Sequence, residues 1–144
     1  MARKSRANNV LILSDAKNMM WKAGLYSRLS VEDGDDTEQN SIGNQKKIGR
    51  HYLADKTDIV LADTYSDSGC TGMDFERPDF KRMIGDIRSG RINCVIVKDI
   101  SRLGRHFVMT SNYVERIFPE MGVRLICIND EYDSSEPNAD SSAL

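Results

Sequence analysis

Arg28 and Ser30 stand two residues apart at the end of an apolar run, residues 23–26. In an extended chain that spacing puts both side chains on one side. A hydroxyl beside a guanidinium suits attack on a phosphate, because arginine stays charged and can fork onto two phosphate oxygens. The polar run after Val31 ends the strand and places Ser30 just past its C-terminal end, where open α/β sheets put their chemistry. Taken alone, the pair reads first as a solvated Arg and Ser at a strand end. Two later strand exits carry matching residue types: Asp67 and Thr71 with Arg77 beyond, then Lys98, Arg102 and Arg105. In a parallel sheet these exits share one rim, so four arginines converge near one serine. They would repel one another without a reason to gather, and a bound polyanion supplies one.

The elements that must position these residues follow from pattern. Residues 32–38 are acidic and turn-rich, hence a loop, without the spacing of a calcium site. Asn40 or Ser41 can cap the next helix, whose Ile42, Gln45, Ile48, Tyr52 and Leu53 lie near one face. Gln45 is the polar exception on that face, either a core-edge glutamine or an active-site amide. Residues 59–65 read as a second strand, running into a loop at residues 66–72. Pro78 opens a helix with Phe80, Met83, Ile84 and Ile87 as a core stripe, closed by Gly90. The continuous apolar run 94–97 is a central parallel strand. A third helix, with Tyr113, Val114, Ile117 and Phe118 inward, ends at Pro119 and Gly122 before a last strand at 123–128. The order β-α-β-α-β-α-β predicts an α/β fold of three layers: a mainly parallel sheet of four to five strands with helices on both faces.

Composition sets the limits. The chain of 144 residues is one domain's worth, with 40% hydrophobic and 29% charged residues. A net charge of −2 makes no global case for nucleic acid. Distribution does: residues 77–124 hold ten Lys/Arg against five Asp/Glu, whereas 125–144 hold five acids and no base. Cys70, Cys94 and Cys127 are odd in number and widely spaced, which argues for a reducing cytoplasm and against disulfides or a zinc site. Residues 1–20 read as a loose basic leader whose apolar run is too short for a signal peptide, and no stretch approaches a membrane span. The domain is expected over 21–132, followed by a structureless acidic tail at 133–144.

The chain resembles the catalytic, resolvase/invertase-type domain of serine site-specific recombinases, within the large recombinases of transposons and integrative elements. The residues that carry the resemblance are Tyr26-Ser27-Arg28-Leu29-Ser30, Asn40-Ser41-Ile42 with Asn44-Gln45-Lys46-Lys47, and Tyr65-x-Asp67-x-Gly69-x-Thr71-Gly72. Phe75-x-Arg77-Pro78-x-Phe80 and Val95-Ile96-Val97-Lys98-Asp99-x-Ser101-Arg102-Leu103-Gly104-Arg105 complete the set, in the family's order over about residues 21 to 130. Thr71 stands where the family more often has serine.

The resemblance implies cleavage and rejoining of double-stranded DNA without metal, ATP or other cofactor. Ser30 would attack the scissile phosphate and form a 5′-phosphoserine link. Arg28, Arg77, Arg102 and Arg105 would stabilise the phosphoryl oxygens, and Asp67 would orient an arginine. Tyr26, Gln45, Thr71 and Lys98 would support them. Neither His51 nor His106 falls in a family motif, so no general base is assigned. The family works as homodimers and tetramers and continues into a long helix and DNA-binding domains, so the chain reads as a truncated fragment. Two rivals are a nucleotide-binding domain, for which the Gly-rich first turn is missing, and a catalytically idle DNA-binding or oligomerisation module of the same fold.

Overall fold

The computed structural model describes residues 20–30, 41–70, 77–104 and 107–144. Strand β1 (Trp21–Ser30) leads to helix α1 (Ile42–Leu53), β2 (Ile59–Cys70), α2 (Pro78–Arg88) and β3 (Cys94–Val97). A 3-10 turn (Ile100–Arg102) then precedes a composite helix. This helix is α-helical at Phe107–Asn112 (α3), π-helical at Tyr113–Ile117 and α-helical again at Phe118–Glu120. β4 (Arg124–Cys127) and the short β5 (Tyr132–Asp133) complete the sheet. The strand order is β2-β1-β3-β4-β5, parallel except for β5.

Period-2 alternation along the strands sorts the core into two faces. Tyr26, Val95, Val97, Leu125 and Cys127 face α2 and the composite helix, with Phe80, Met83 and Phe118 packed on them. Ala23, Leu25, Cys94, Ile96 and Ile126 face the other way, against Tyr52 and Leu53 of α1. The expected three layers are therefore present.

β1 and β2 outrun their apolar stretches. The segment 66–70, expected as loop, is strand because it pairs with β1 from Ser27↔Ser66 through Ser30↔Cys70. Ser30 is accordingly the last residue of β1 rather than one past it. Two register shifts let β2 gain a residue on β1 each time, so the alternation of β1 itself is undisturbed.

The helices obey their caps. Ser41 Oγ accepts the Asn44 N–H at 3.0 Å, opening α1. Gly49 lets α1 settle onto β1: a Cβ there would stand 2.5 Å from Leu25 Cδ1. Pro78 begins α2, and Phe80, Met83, Ile84 and Ile87 are buried as the stripe predicts. The π turn has a cause in Pro119, which has no N–H to donate and whose ring crowds the carbonyl four residues back. The helix widens there, and the Phe118 N–H bonds the Tyr113 carbonyl.

The acidic segment from 133 onward, expected as a structureless tail, packs back instead. Asp133 pairs in β5 and receives Arg124 Nη2 at 2.6 Å, and Leu144 packs against the core. Pattern missed this because a two-residue strand has no periodicity. The leader 1–19, the loop 32–38, Asn40, Thr71, Arg105 and His106 lie outside the described residues. Among the described residues no helix is long and apolar enough to cross a membrane.

Candidate active site

Three strands end at one rim, and their exits meet on the 3-10 turn that follows β3. Arg28 reaches this turn from β1, donating from Nε to the Arg102 carbonyl at 3.1 Å and from Nη2 to the Ser101 carbonyl at 2.7 Å. Arg77, the residue that caps α2, donates from Nη1 to the Leu103 carbonyl at 2.7 Å. Arg102 answers from the turn itself, donating from Nη1 to the Arg28 carbonyl at 2.8 Å. Three consecutive carbonyls thus hold two arginines, and the third arginine locks the turn to β1.

These cations are taken out of water: Arg28 is 0% exposed, Arg102 6% and Arg77 8%. A buried cation is costly unless hydrogen-bonded, and the carbonyls supply acceptors for Nε and Nη2 of Arg28, Nη1 of Arg77 and Nη1 of Arg102. Arg77 also lies 4.2 Å from the Phe80 ring centroid, a cation–π contact. The guanidinium groups are therefore preorganised as a positive cluster beside the C-terminal end of β1, where Ser30 is the final residue.

β3 pairs with β1 only through Leu25, so the Arg28 backbone lacks a strand neighbour on that side. Gln45 takes the place of one. Its Oε1 accepts the Arg28 N–H at 3.1 Å and its Nε2 donates to the Arg28 carbonyl at 3.0 Å. Between the two readings of Gln45, these bonds make it a core amide that fixes the backbone under Arg28. Gly49, one turn later on α1, allows the approach.

Asp67 was expected to orient an arginine. Among the described residues it forms no ion pair with one. It sits inside β2, 3% exposed, and its carboxylate accepts the Tyr26 hydroxyl at 2.8 Å and the N–H groups of Asp79 and Phe80 at 3.1 and 3.0 Å. Those N–H groups open α2 and carry the positive end of its dipole. Asp79 returns the contact, accepting the Ser66 N–H at 2.9 Å. The two carboxylates clasp β2 to the start of α2, and Arg77 is positioned by that clasp rather than by direct pairing.

Tyr26 is held in its protonated form. Burial drives its phenol far above the usual range, Arg77 opposes this, and the bond to Asp67 adds to the rise. It serves as a hydrogen-bond donor. Cys94, pushed up to about 12 mainly by burial, is likewise an inert core thiol.

Sequence reasoning passed over the group that shapes the turn. Asp99 Oδ1 accepts the Ser101 N–H at 3.1 Å, receives the Ser101 hydroxyl, and lies 3.4 Å from Arg102 Nε. Asp130 Oδ2 accepts the Ile100 N–H at 2.8 Å from beyond β4. An Asp two residues before a Ser is a turn-capping signal that was available in the sequence; Asp130 had none. Lys98 is buried at the end of β3. Arg28, Arg77, Arg102, Tyr26, Asp67 and Gln45 are thus brought together around one turn, with Ser30 at its strand end. Among the described residues no group of His, Cys, Asp and Glu is placed to hold a metal ion.

Comparison with known proteins gives the family and the fold. The family model "Resolvase, N terminal domain" matches residues 23–143. The fold is similar to the N-terminal catalytic domain of TP901-1 integrase, at 29% identity and TM-score 0.70 over 81% of this chain and 83% of that one. It is also similar to a resolvase family site-specific recombinase from Streptococcus pneumoniae, at 30% identity and TM-score 0.64 over 82% and 78%. The C-terminal catalytic domain of ISC1926 TnpA, an IS607-like serine recombinase, shares the fold at 19% identity and TM-score 0.61, over 74% and 69%. No curated protein matches the chain at the same significance.

Proposed function

The chain belongs to the resolvase N-terminal domain family, the catalytic domain of serine site-specific recombinases, and from that premise we propose that Ser30 is its DNA-cleaving nucleophile. Ser30 Oγ attacks the scissile phosphorus, a P–O bond to serine forms, and the bond to the 3′-oxygen breaks. The serine proton is lost and the departing oxygen leaves as a 3′-hydroxyl. One phosphate diester replaces another, so the reverse attack by a 3′-hydroxyl rejoins the strand without ATP.

Charge builds on the non-bridging phosphoryl oxygens in the transition state. Fixed donors aimed at that charge lower the barrier, because they need no reorganisation when it develops. The proposal gives this work to Arg28, Arg77 and Arg102, with Arg105 joining them by its place in the motif. Gln45 and the Asp67 clasp keep two of these arginines in register, and Tyr26 supports Asp67. Lys98 and Thr71 are assigned supporting contacts. The observation that carries the reading is the gathering of three buried arginines on the turn beside the last residue of β1.

Double-stranded DNA is the substrate on this reading. Homodimers that pair into tetramers, and a cytoplasmic setting, follow from the same family membership. The test is Ser30→Ala assayed for single-turnover cleavage and for DNA binding, with and without a chelator. Cleavage is expected to vanish while binding persists, and the wild type is expected to cleave undiminished in chelator. Retained cleavage in Ser30→Ala, or its loss from the wild type on chelation, overturns the proposal.

A further inference from the structure

Helix α1 differs from the other helices in the sign of its charges. Its twelve residues include Lys46, Lys47, Arg50 and His51 and no Asp or Glu. α2 mixes Lys81, Arg82 and Arg88 with Asp79 and Asp86, and the composite helix sets Arg116 among Glu115 and Glu120. Protein surfaces ordinarily intersperse the two signs. In a chain of net charge −2, a helix carrying one sign runs against the whole.

Among the described residues three arginines elsewhere are neutralised by carboxylates, while Lys81, Arg88 and Arg116 stand singly among helices of mixed charge. Arg82 pairs with Asp63 and Asp79, Arg91 with Asp63 and Asp86, and Arg124 with Asp58 and Asp133. Among the described residues Lys46, Lys47 and Arg50 form no ion pair. The helix dipole favours cations in the last turn, which accounts for Arg50 and His51. It does not account for Lys46 and Lys47 further back.

The cations lie on or beside one face. With Gln45 and Gly49 buried against β1, the opposite face carries Gly43, Lys47 and Arg50, with Ala54 just past its end and Lys46 and His51 on its flanks. The residues between the cations are small, and a Cβ at Gly43 would meet nothing within 4 Å. Among the described residues nothing at Gly43 stands in the way of a bulky polyanion. Lys46 and Arg50 lie about 6 Å apart along the axis, while duplex DNA carries one charge per about 1.7 Å. Three cations on that length face several phosphates at once. The same helix holds the Arg28 backbone through Gln45, so this face is mechanically continuous with the strand that ends in Ser30.

We propose that the outer face of α1 is a DNA-backbone contact surface, on which Lys46, Lys47 and Arg50 bind phosphates flanking the one presented to Ser30. This rests on the functional reading above. The face recognises charge and not sequence, because phosphate contacts position a duplex without reading it. It supplies affinity and register, and the arginine cluster supplies the chemistry.

The test is the salt dependence of binding to duplex DNA of arbitrary sequence, followed by fluorescence anisotropy from about 50 to 200 mM salt. The variant is Lys46→Gln, Lys47→Gln and Arg50→Gln together, with its melting temperature read in parallel. Each lost phosphate contact reduces the log–log slope by about 0.9, so the triple variant is expected to be shallower by about 2.7. A control pair on α2, Lys81→Gln with Arg88→Gln, is expected to leave the slope as it is. An equal change from both sets means diffuse net charge and overturns the proposal. A slope unchanged in the triple variant, with a lowered melting temperature, means these side chains serve stability instead and also overturns it. A wild type that fails to bind DNA at the lowest salt overturns the functional reading and this proposal with it. An unchanged slope against a binding wild type overturns this proposal alone.

Discussion

Replacing Asp67 by alanine separates two accounts of that residue. The carboxylate accepts the Tyr26 hydroxyl and the N–H groups of Asp79 and Phe80, and it is 3% exposed. Asp67→Ala leaves two N–H groups at the start of α2 without their cap, a loss of about 0.5–2 kcal/mol. It also strands a buried phenol, which costs a further 1–3 kcal/mol or so. These effects overlap at one site, so a total of about 2–4 kcal/mol is expected rather than the full sum. At roughly 3 °C per kcal/mol for a domain of this size, the melting temperature falls by about 6–12 °C. The assay is urea unfolding of the wild type, Asp67→Ala and Asp67→Asn, read by circular dichroism. Asn keeps one acceptor oxygen and is expected to lose about half as much as Ala. If Asp67→Ala unfolds within about 0.5 kcal/mol of wild type yet abolishes cleavage, the clasp reasoning fails and Asp67 acts on the chemistry directly.

Other consequences are as direct. Ser27 is fully buried and its Oγ finds no hydrogen-bond partner among the described residues, so Ser27→Ala is expected to be neutral or to stabilise by up to about 1 kcal/mol in urea. Gly49→Ala drives a methyl into Leu25 and is expected to cost about 1–3 kcal/mol; it also lifts Gln45 from Arg28, so cleavage should fall more than DNA binding. Asp133 is held below the usual carboxylate range: burial raises it, but Arg124 and the Ser135 N–H and hydroxyl outweigh burial. A depressed folded-state value stabilises above the unfolded pKa of about 4 and is lost as pH falls below it. Asp133→Asn is therefore expected to lower stability near neutrality and to flatten the acid limb of a pH–stability curve, measured by thermal melts.

Long, regular features were legible in the sequence. The stripe of Phe80, Met83, Ile84 and Ile87 and the run Cys94–Val97 announced α2 and β3 because burial on one face or on both leaves a period. Where hydrogen bonding, not hydrophobicity, set the structure, pattern fell short. Residues 66–70 are polar, yet they are strand because β1 supplies their partners. β5 depends on Arg124 reaching Asp133, a contact invisible to any local window. The site shows the same division. The types and order of Arg28, Arg77 and Arg102 foretold a shared rim. That their guanidinium groups rest on the carbonyls of Ser101, Arg102 and Leu103 was not foretold, because backbone acceptors carry no side-chain signature. For Asp67, charge suggests an arginine as partner, and the contacts seen among the described residues are instead the Tyr26 hydroxyl and the open N–H groups of a helix start.

The central claim is that Ser30 carries the DNA during reaction, and mapping the covalent bond tests it most directly. Wild-type protein is stalled on DNA, denatured and digested, and the DNA-linked peptide is identified by mass spectrometry. The account predicts a 5′-phosphate ester on the peptide containing Ser30, absent from Ser30→Ala. A linkage on Tyr26, or free 5′-phosphate ends with no peptide attached, would contradict it.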